Sequence, residues 1–121
     1  MNAIIDTNIL IDYLNGIEKA KEELALYKNP AVSIITWMEI LIGAVDEAEE
    51  ANLKSFLGNY HLYELSSEIA ENAIKVRQKH KIRLPDAVIW ATALTSNSIL
   101  VTRNTRDFSK NEPSIRIPYS I

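Results

Sequence analysis

Apolar residues fall along this chain in short unbroken runs that alternate with stretches spaced at helical intervals. Ala3, Ile4 and Ile5 form such a run, closed by Asp6, and Leu10 and Leu14 then carry a helical spacing up to the stop signal Asn15-Gly16. The pattern predicts a buried strand, an acid and a helix in succession. Ile17, Ala20, Leu24 and Tyr27 recur at helical spacing until Asn29-Pro30 ends the segment. Ala31 to Ile34 reads as a second buried strand, and a helix carrying Glu39 runs from Thr36 to near Gly43. Glu47 to Leu57 predicts a helix with Ala48, Ala51 and Phe56 on one side, punctuated by Gly58-Asn59; His61 to Glu64 predicts a short strand. Ser66 or Ser67 caps the next helix, which has Glu68 and Glu71 in its first turn and bases in its last, as the helix dipole favours. Leu84-Pro85-Asp86 opens a helix that is apolar nearly all round from Ala87 to Leu94, so it is buried on more than one side. Ser98 to Thr102 reads as a strand, and Ile115 to Ile117 as a last edge strand before Pro118.

Short apolar strands alternating with helices imply an α/β fold in which a parallel sheet is covered on both faces. At 121 residues and 47% hydrophobic, the chain is expected to form one domain, residues 1–121, with a substantial core. In such sheets the ligand site lies beyond the carboxyl ends of the strands. Asp6 ends the first strand, Glu39 lies a helical turn past the second, Asp86 starts the helix before the Ile99 to Thr102 strand, and Asp107 follows that strand. Right-handed crossovers would put most of these acids on one edge of the sheet.

The acids are also conspicuous for their isolation. Asp6 stands alone in NAIIDTNILI, Glu39 is the only charge between Lys28 and Asp46, and Asp86 is the only charge from Leu84 to Thr102. An unpaired carboxylate among apolar groups costs several kcal/mol, so such groups are hydrogen-bonded, paired, neutralised or bound to a cation. Each has a structural alternative. Thr36-x-x-Glu39 matches a capping box, Asp86 sits in a first turn, Asp6 can be an N-cap and Asp107 a turn residue. Capping does not require an acid to stand alone in an apolar segment. Four such acids at strand termini suit phosphodiester hydrolysis with one or two Mg²⁺ or Mn²⁺ ions, since hard divalent cations take oxygen ligands.

Charge and composition narrow the choice further. The absence of cysteine excludes disulfides and thiolate metal sites and fits a reducing compartment. No apolar run reaches the ~18 residues of a membrane span and the start lacks a basic leader, so the expectation is a soluble, cytoplasmic protein. A net charge of −3 argues against a polyanion binder held by bulk charge. Yet residues 1–60 carry −6 and residues 61–121 carry +3, with Lys75, Arg77, Lys79, Lys81 and Arg83 crowded just before Asp86. That cluster is either a solvated helix face or a polyanion contact. Arg103 and Arg106, beside the proposed site, are further candidates for phosphate contacts. Trp37 and Trp90 lie on apolar helices and read as core or dimer contacts; His61 and His80 lack metal-ligand spacing.

Four segments, IIDTNILIDYL, SIITWMEILIGA, LPDAVIWATA and LVTRNTRDF, resemble in order the four motifs of PIN-domain ribonucleases, particularly the VapC-like toxins of prokaryotic toxin–antitoxin pairs. The resemblance spans essentially the whole chain. It implies a PIN-type three-layer α/β/α sandwich around a mostly parallel sheet of four to five strands. It makes Asp6, Glu39, Asp86 and Asp107 the acidic quartet: Asp6 and Asp86 as the most direct metal ligands, Glu39 binding through water or steering it, and Asp107 completing the pocket. Thr7, Asn8, Thr102 and Asn104 become hydrogen-bonding support, with the fourth role divided between Asn104 and Asp107 because some relatives carry an acid at the former. It further implies RNA as substrate, homodimerisation, and a cognate antitoxin through which alone DNA would be met.

Other metal-dependent folds fit less well. A phosphotransfer receiver needs an acceptor Asp on a middle strand, yet none occurs between Asp46 and Asp86, and a phosphohydrolase with an Asp nucleophile wants a second acid where this chain has Asn8. The alternative of a different class is a PIN-like protein-interaction module without catalysis. Four retained, mutually repelling carboxylates argue against it.

Overall fold

The computed structural model describes residues 2–121. Among these residues the order is β1 (Ala3–Ile5), α1 (Thr7–Leu14), α2 (Glu18–Leu24), β2 (Ala31–Ser33), α3 (Ile34–Ile42), α4 (Glu47–Leu57), β3 (His61–Tyr63), α5 (Ser67–His80), α6 (Leu84–Thr95), β4 (Ile99–Val101) and β5 (Ile115–Arg116). The strands form one sheet in the order β3-β2-β1-β4-β5, and every pairing is parallel. This is the expected α/β class with the full five strands.

Side-chain alternation builds the layers. Ile4, Ala31, Leu100 and Ile115 point to one face, where they pack with Ile69, Ala73 and Val76 of α5 and with Ala87 to Ala93 of α6. Ala3, Ile5, Val32 and Val101 point to the other, against Ile9 and Leu10 of α1, Ile40 of α3 and Leu57 of α4. The three central strands β1, β2 and β4 are covered on both sides, hence their mostly apolar character, whereas the edge strands β3 and β5 expose His61 and Arg116. Only α6 is buried almost all round, because it also meets α5 and the segment carrying Phe108.

The chain leaves β1 toward β2 and β3 with α1 to α4 on one face, then returns across the sheet through α5 and α6 on the other. The direction therefore reverses between β1 and β4. In open α/β sheets the crevice at that reversal, outside the carboxyl ends of the strands, is the ligand site. Asp6 and Thr102 are the first residues past those two ends.

Two local expectations shift. Tyr27 lies beyond α2 instead of within it. The α3 helix begins at Ile34, not Thr36, because Ser33 is its N-cap and accepts from the Ile35 amide at 3.1 Å. Thr36 is thus an interior, fully buried helix residue, and the capping-box interpretation of Glu39 does not hold. Among the described residues no helix is long and apolar enough to cross a membrane.

Candidate active site

Asp6 occupies the switch point with its backbone and its side chain both committed. Its amide extends the sheet by donating to the Val101 carbonyl at 2.9 Å. Its carboxylate, 3% exposed, caps α1 by accepting from the Thr7 amide at 2.7 Å and crosses to β4 by accepting from the Thr102 hydroxyl at 2.7 Å. The Asn8 side-chain amide adds a third donor at 3.2 Å. The N-cap interpretation is therefore correct for Asp6, but it accounts for only one of three bonds. Burial raises the Asp6 pKa against the pull of these donors, and the negative charge of Glu39 adds to the rise.

From Asp6 the network runs in two directions. Toward α3, the Thr7 hydroxyl donates to Glu39 Oε1 at 2.6 Å and lies 3.0 Å from Thr36 Oγ1. Toward the loop after β4, the Asn104 amide donates to Thr102 Oγ1 at 3.0 Å. The Asn104 side chain then organises the following turn: its oxygen accepts from the Arg106 and Asp107 amides at 3.1 and 3.2 Å, and its Nδ2 donates to Asp107 Oδ2 at 3.0 Å. The Arg83 guanidinium closes the chain by donating to Asp107 Oδ2 at 3.3 Å and to Asp86 Oδ2 at 3.2 Å. A contiguous set of bonds thus joins Glu39, Thr7, Asp6, Thr102, Asn104, Asp107 and Asp86. The four acids come from four different segments of the chain.

Electrostatics tie the same groups together. The Asp86 carboxyl is pushed up to about 6 by burial, by its hydrogen bond to Asp107 and by the charge of Asp6, with Arg83 opposing. Asp107 is held below the usual carboxylate range, mainly by the Asn104 amide and then by its contacts with Asp86 and Arg83. The two carboxyls titrate as a pair, Asp86 shifted up and Asp107 down. Among the described residues, no group of three or more His, Asp or Glu side chains is gathered closely enough to hold a metal ion as it stands. The reason is visible in the bonds: Glu39 is drawn to Thr7, and a guanidinium sits against Asp86 and Asp107. The donors nonetheless fit a hard divalent cation in kind, being all carboxylate oxygen, mutually repelling and already served by one stand-in positive charge.

The basic candidates divide. Arg83 reaches the site, whereas Lys79, Lys81 and Arg106 are exposed side chains. Arg103 turns away, its guanidinium forked onto Asp12, whose carboxylate is buried. Asp12 is a residue the sequence pattern did not single out. Its signals are position, three residues after the buried Ile9 and hence on the inward stripe of α1, and isolation as the only charge between Asp6 and Glu18. Trp90 is buried against Phe108 and Trp37 packs on the α1–α4 side of the sheet; His80 lies over Trp90 and His61 against Tyr63.

A family model described as the PIN domain matches residues 3–112. The chain belongs to the PIN domain family. Solved structures agree with that assignment over nearly its full length. This PIN domain is 41% identical to a chain of a toxin–antitoxin complex from Klebsiella pneumoniae, covering 98% of this chain and 99% of that one at a TM-score of 0.92. It shares its fold with a DNA-bound VapBC from Salmonella typhimurium, at 23% identity, 99% and 98% coverage and a TM-score of 0.81. It likewise shares it with VapBC2 from Rickettsia felis bound to a promoter DNA fragment, at 24% identity, 100% and 99% coverage and a TM-score of 0.77. No curated protein sequence matches this PIN domain.

Proposed function

We propose that this PIN domain is a divalent-metal-dependent endoribonuclease acting as the toxin of a VapC-like toxin–antitoxin pair. The observation that carries the proposal is the bonded series from Glu39 through Asp6 to Asp107 and Asp86, centred on the switch point of the sheet. PIN domains of the VapC kind are generally nucleases, and the family typically uses a divalent metal. Asp6 and Asp86 would hold Mg²⁺ or Mn²⁺, with Asp107 completing the pocket. The Asn104 oxygen is spent on two backbone amides, which favours Asp107 for the fourth role. When bound, such a cation supplies positive charge against the phosphate and lowers the pKa of a water.

The residues themselves do the positioning. Thr102, Asn8 and the Thr7 amide hold Asp6 in one orientation, so its carboxylate meets the cation already aligned. Glu39 is exposed and bonded to Thr7 through Oε1, which leaves Oε2 to orient a water and accept its proton. Arg83, whose guanidinium now donates to Asp86 and Asp107, would be available to a phosphate oxygen at the same carboxylates. The similar structures are toxin–antitoxin and VapBC complexes, which supports an antitoxin as protein partner; DNA would be met only through it, and the toxin itself is expected to be a homodimer.

Purified protein is expected to cut RNA in Mg²⁺ or Mn²⁺ and to stop when the cation is chelated. Asp6→Asn or Asp86→Asn is expected to lower turnover at least about a hundredfold with an unchanged circular dichroism spectrum, because both remove charge from the cation site. Full turnover in either variant refutes the proposal, and wild-type protein that never cleaves returns it to an interaction module.

A further inference from the structure

Asp12 and Arg103 form the tightest ion pair near the site, yet neither belongs to the acidic network. Every bond of the Asp12 carboxylate is accounted for: Oδ2 accepts from Arg103 Nε at 2.7 Å and from the Tyr119 hydroxyl at 2.8 Å, and Oδ1 accepts from Arg103 Nη2 at 3.0 Å. The fork is planar-on-planar, the geometry that Arg supplies and Lys does not. Three distant segments meet there: α1, the loop after β4 and the segment that follows β5.

What makes the pair more than a staple is the backbone of Arg103. Its amide donates to Asn8 Oδ1 at 3.0 Å. An Asn side chain has an acceptor end and a donor end, so an amide held on its oxygen turns its nitrogen to the other side. Here that nitrogen faces Asp6 Oδ2 at 3.2 Å and Thr102 Oγ1 at 3.3 Å. Residue 102 donates to Asp6 directly, residue 103 orients the second donor to Asp6, and the side chain of residue 103 is locked to the far end of α1 by Asp12. Were the loop to drift, Asn8 would be free to present its oxygen to the carboxylate and repel it.

We infer that Asp12, Arg103 and Tyr119 form a clamp of positioning residues that holds Asn8 and Thr102 in register on Asp6, and that Arg103 is not a phosphate contact. The inference rests on the nuclease reading above, because it concerns the alignment of Asp6 for that chemistry. Groups that orient a metal-binding or catalytic side chain typically matter by about 10- to 100-fold in affinity or rate.

The full chain carrying Asp12→Asn, Arg103→Gln, Arg103→Lys or Tyr119→Phe separates the clamp from a phosphate contact. Three quantities decide: kcat and KM for RNA cleavage, Mn²⁺ affinity by calorimetry, and the salt dependence of RNA binding without cation. For the clamp, Asp12→Asn and both Arg103 substitutions lower kcat and Mn²⁺ affinity together by about 10- to 100-fold while KM and the salt slope hold. Combining Asp12→Asn with Arg103→Lys does no further harm, since both break one unit. Tyr119→Phe, which removes one of three bonds and leaves the fork, lowers kcat severalfold. It carries the test if Asp12→Asn fails to fold. A phosphate contact gives the opposite result. Arg103→Gln then raises KM and reduces the salt slope by about 0.7, Arg103→Lys restores both, and Asp12→Asn leaves kcat intact; that outcome overturns the clamp with the nuclease reading untouched. Wild-type protein that neither binds Mn²⁺ nor cleaves RNA overturns the nuclease reading and the clamp with it.

Discussion

Asp12 has a counterpart in Glu23, another buried acid forked by an arginine from far along the chain. Arg116 donates Nε to Glu23 Oε2 at 2.6 Å and Nη2 to Oε1 at 2.8 Å, and Tyr27 adds its hydroxyl at 2.6 Å. Arg116 and the Tyr27 hydroxyl hold the Glu23 carboxyl below its usual range despite the cost of burial. A carboxyl whose folded pKa is depressed contributes stability above its unfolded value of 4.5, and that contribution is lost as pH falls through the lower folded value. Arg116→Gln is therefore expected to cost about 1–3 kcal/mol at pH 7, discounted for the half-exposed arginine, and progressively less as pH falls below the unfolded value of 4.5 toward the depressed folded one. Melting temperatures across pH 3 to 8 check this; a penalty that does not shrink in acid rules it out. Glu23 and Asp12 share the reason they were hard to find. Glu23 is one of several charges in its stretch, whereas Asp12 is the only charge between Asp6 and Glu18; their partners lie 93 and 91 residues away respectively, so neither pairing shows in the local pattern, and the helical step from Ala20 or Ile9 is what betrays burial. Asp6, Glu39 and Asp86 were visible because no neighbouring charge masked them.

The helices deliver these side chains through their caps, and two serine caps of the same chemistry lead to different consequences. Ser33 caps α3 through the Ile35 amide and Ser66 caps α5 through the Ile69 amide, both at 3.1 Å. Either changed to Ala is expected to lose about 1 kcal/mol, with the buried Ser33 at the upper end of the usual 0.5–2 kcal/mol range. Only Ser33→Ala should also slow RNA cleavage, because α3 carries Thr36 and Glu39 to Thr7 whereas α5 contributes no side chain to the bonded series. Equal cleavage losses in the two variants would show that stability, not the aim of α3, controls the rate. Capping chemistry also marks where sequence reading stopped short. Gly58, Ser66 and Pro85 punctuate the chain, and the helices they bound fall where periodicity predicts. At α3 the Thr36-to-Glu39 spacing drew the expected start to Thr36, but Ser33 is the cap and Thr36 lies inside, against Thr7. Strands of three residues carry no period of their own, so their existence followed from apolar runs and their order did not.

That order is what turns a lopsided charge distribution into a working surface. Because β1 lies between β2 and β4, the acids of the first half and those of the second meet at one crevice, while the cationic end of α5 arrives beside them through Arg83. A polyanion approaching a protein of net charge −3 is repelled by the whole and attracted only locally. Lys79, in the last turn of α5, and Lys81, in the left-handed residue that ends it at φ +56°, are exposed just before Arg83. If the RNA backbone runs over these lysines into the crevice, each neutralises one phosphate and releases its counterion, a contribution of about 0.7 to the slope of log K against log salt on a single strand. Lys79→Gln with Lys81→Gln is thus expected to shallow the slope by about 1.4, weaken binding at low salt more than at high, and raise KM with kcat unchanged. Fluorescence anisotropy over a salt series measures it. An unaltered slope would mean that α5 ends in bases only because its dipole and the solvent favour them there, and that the phosphates enter the crevice from another side.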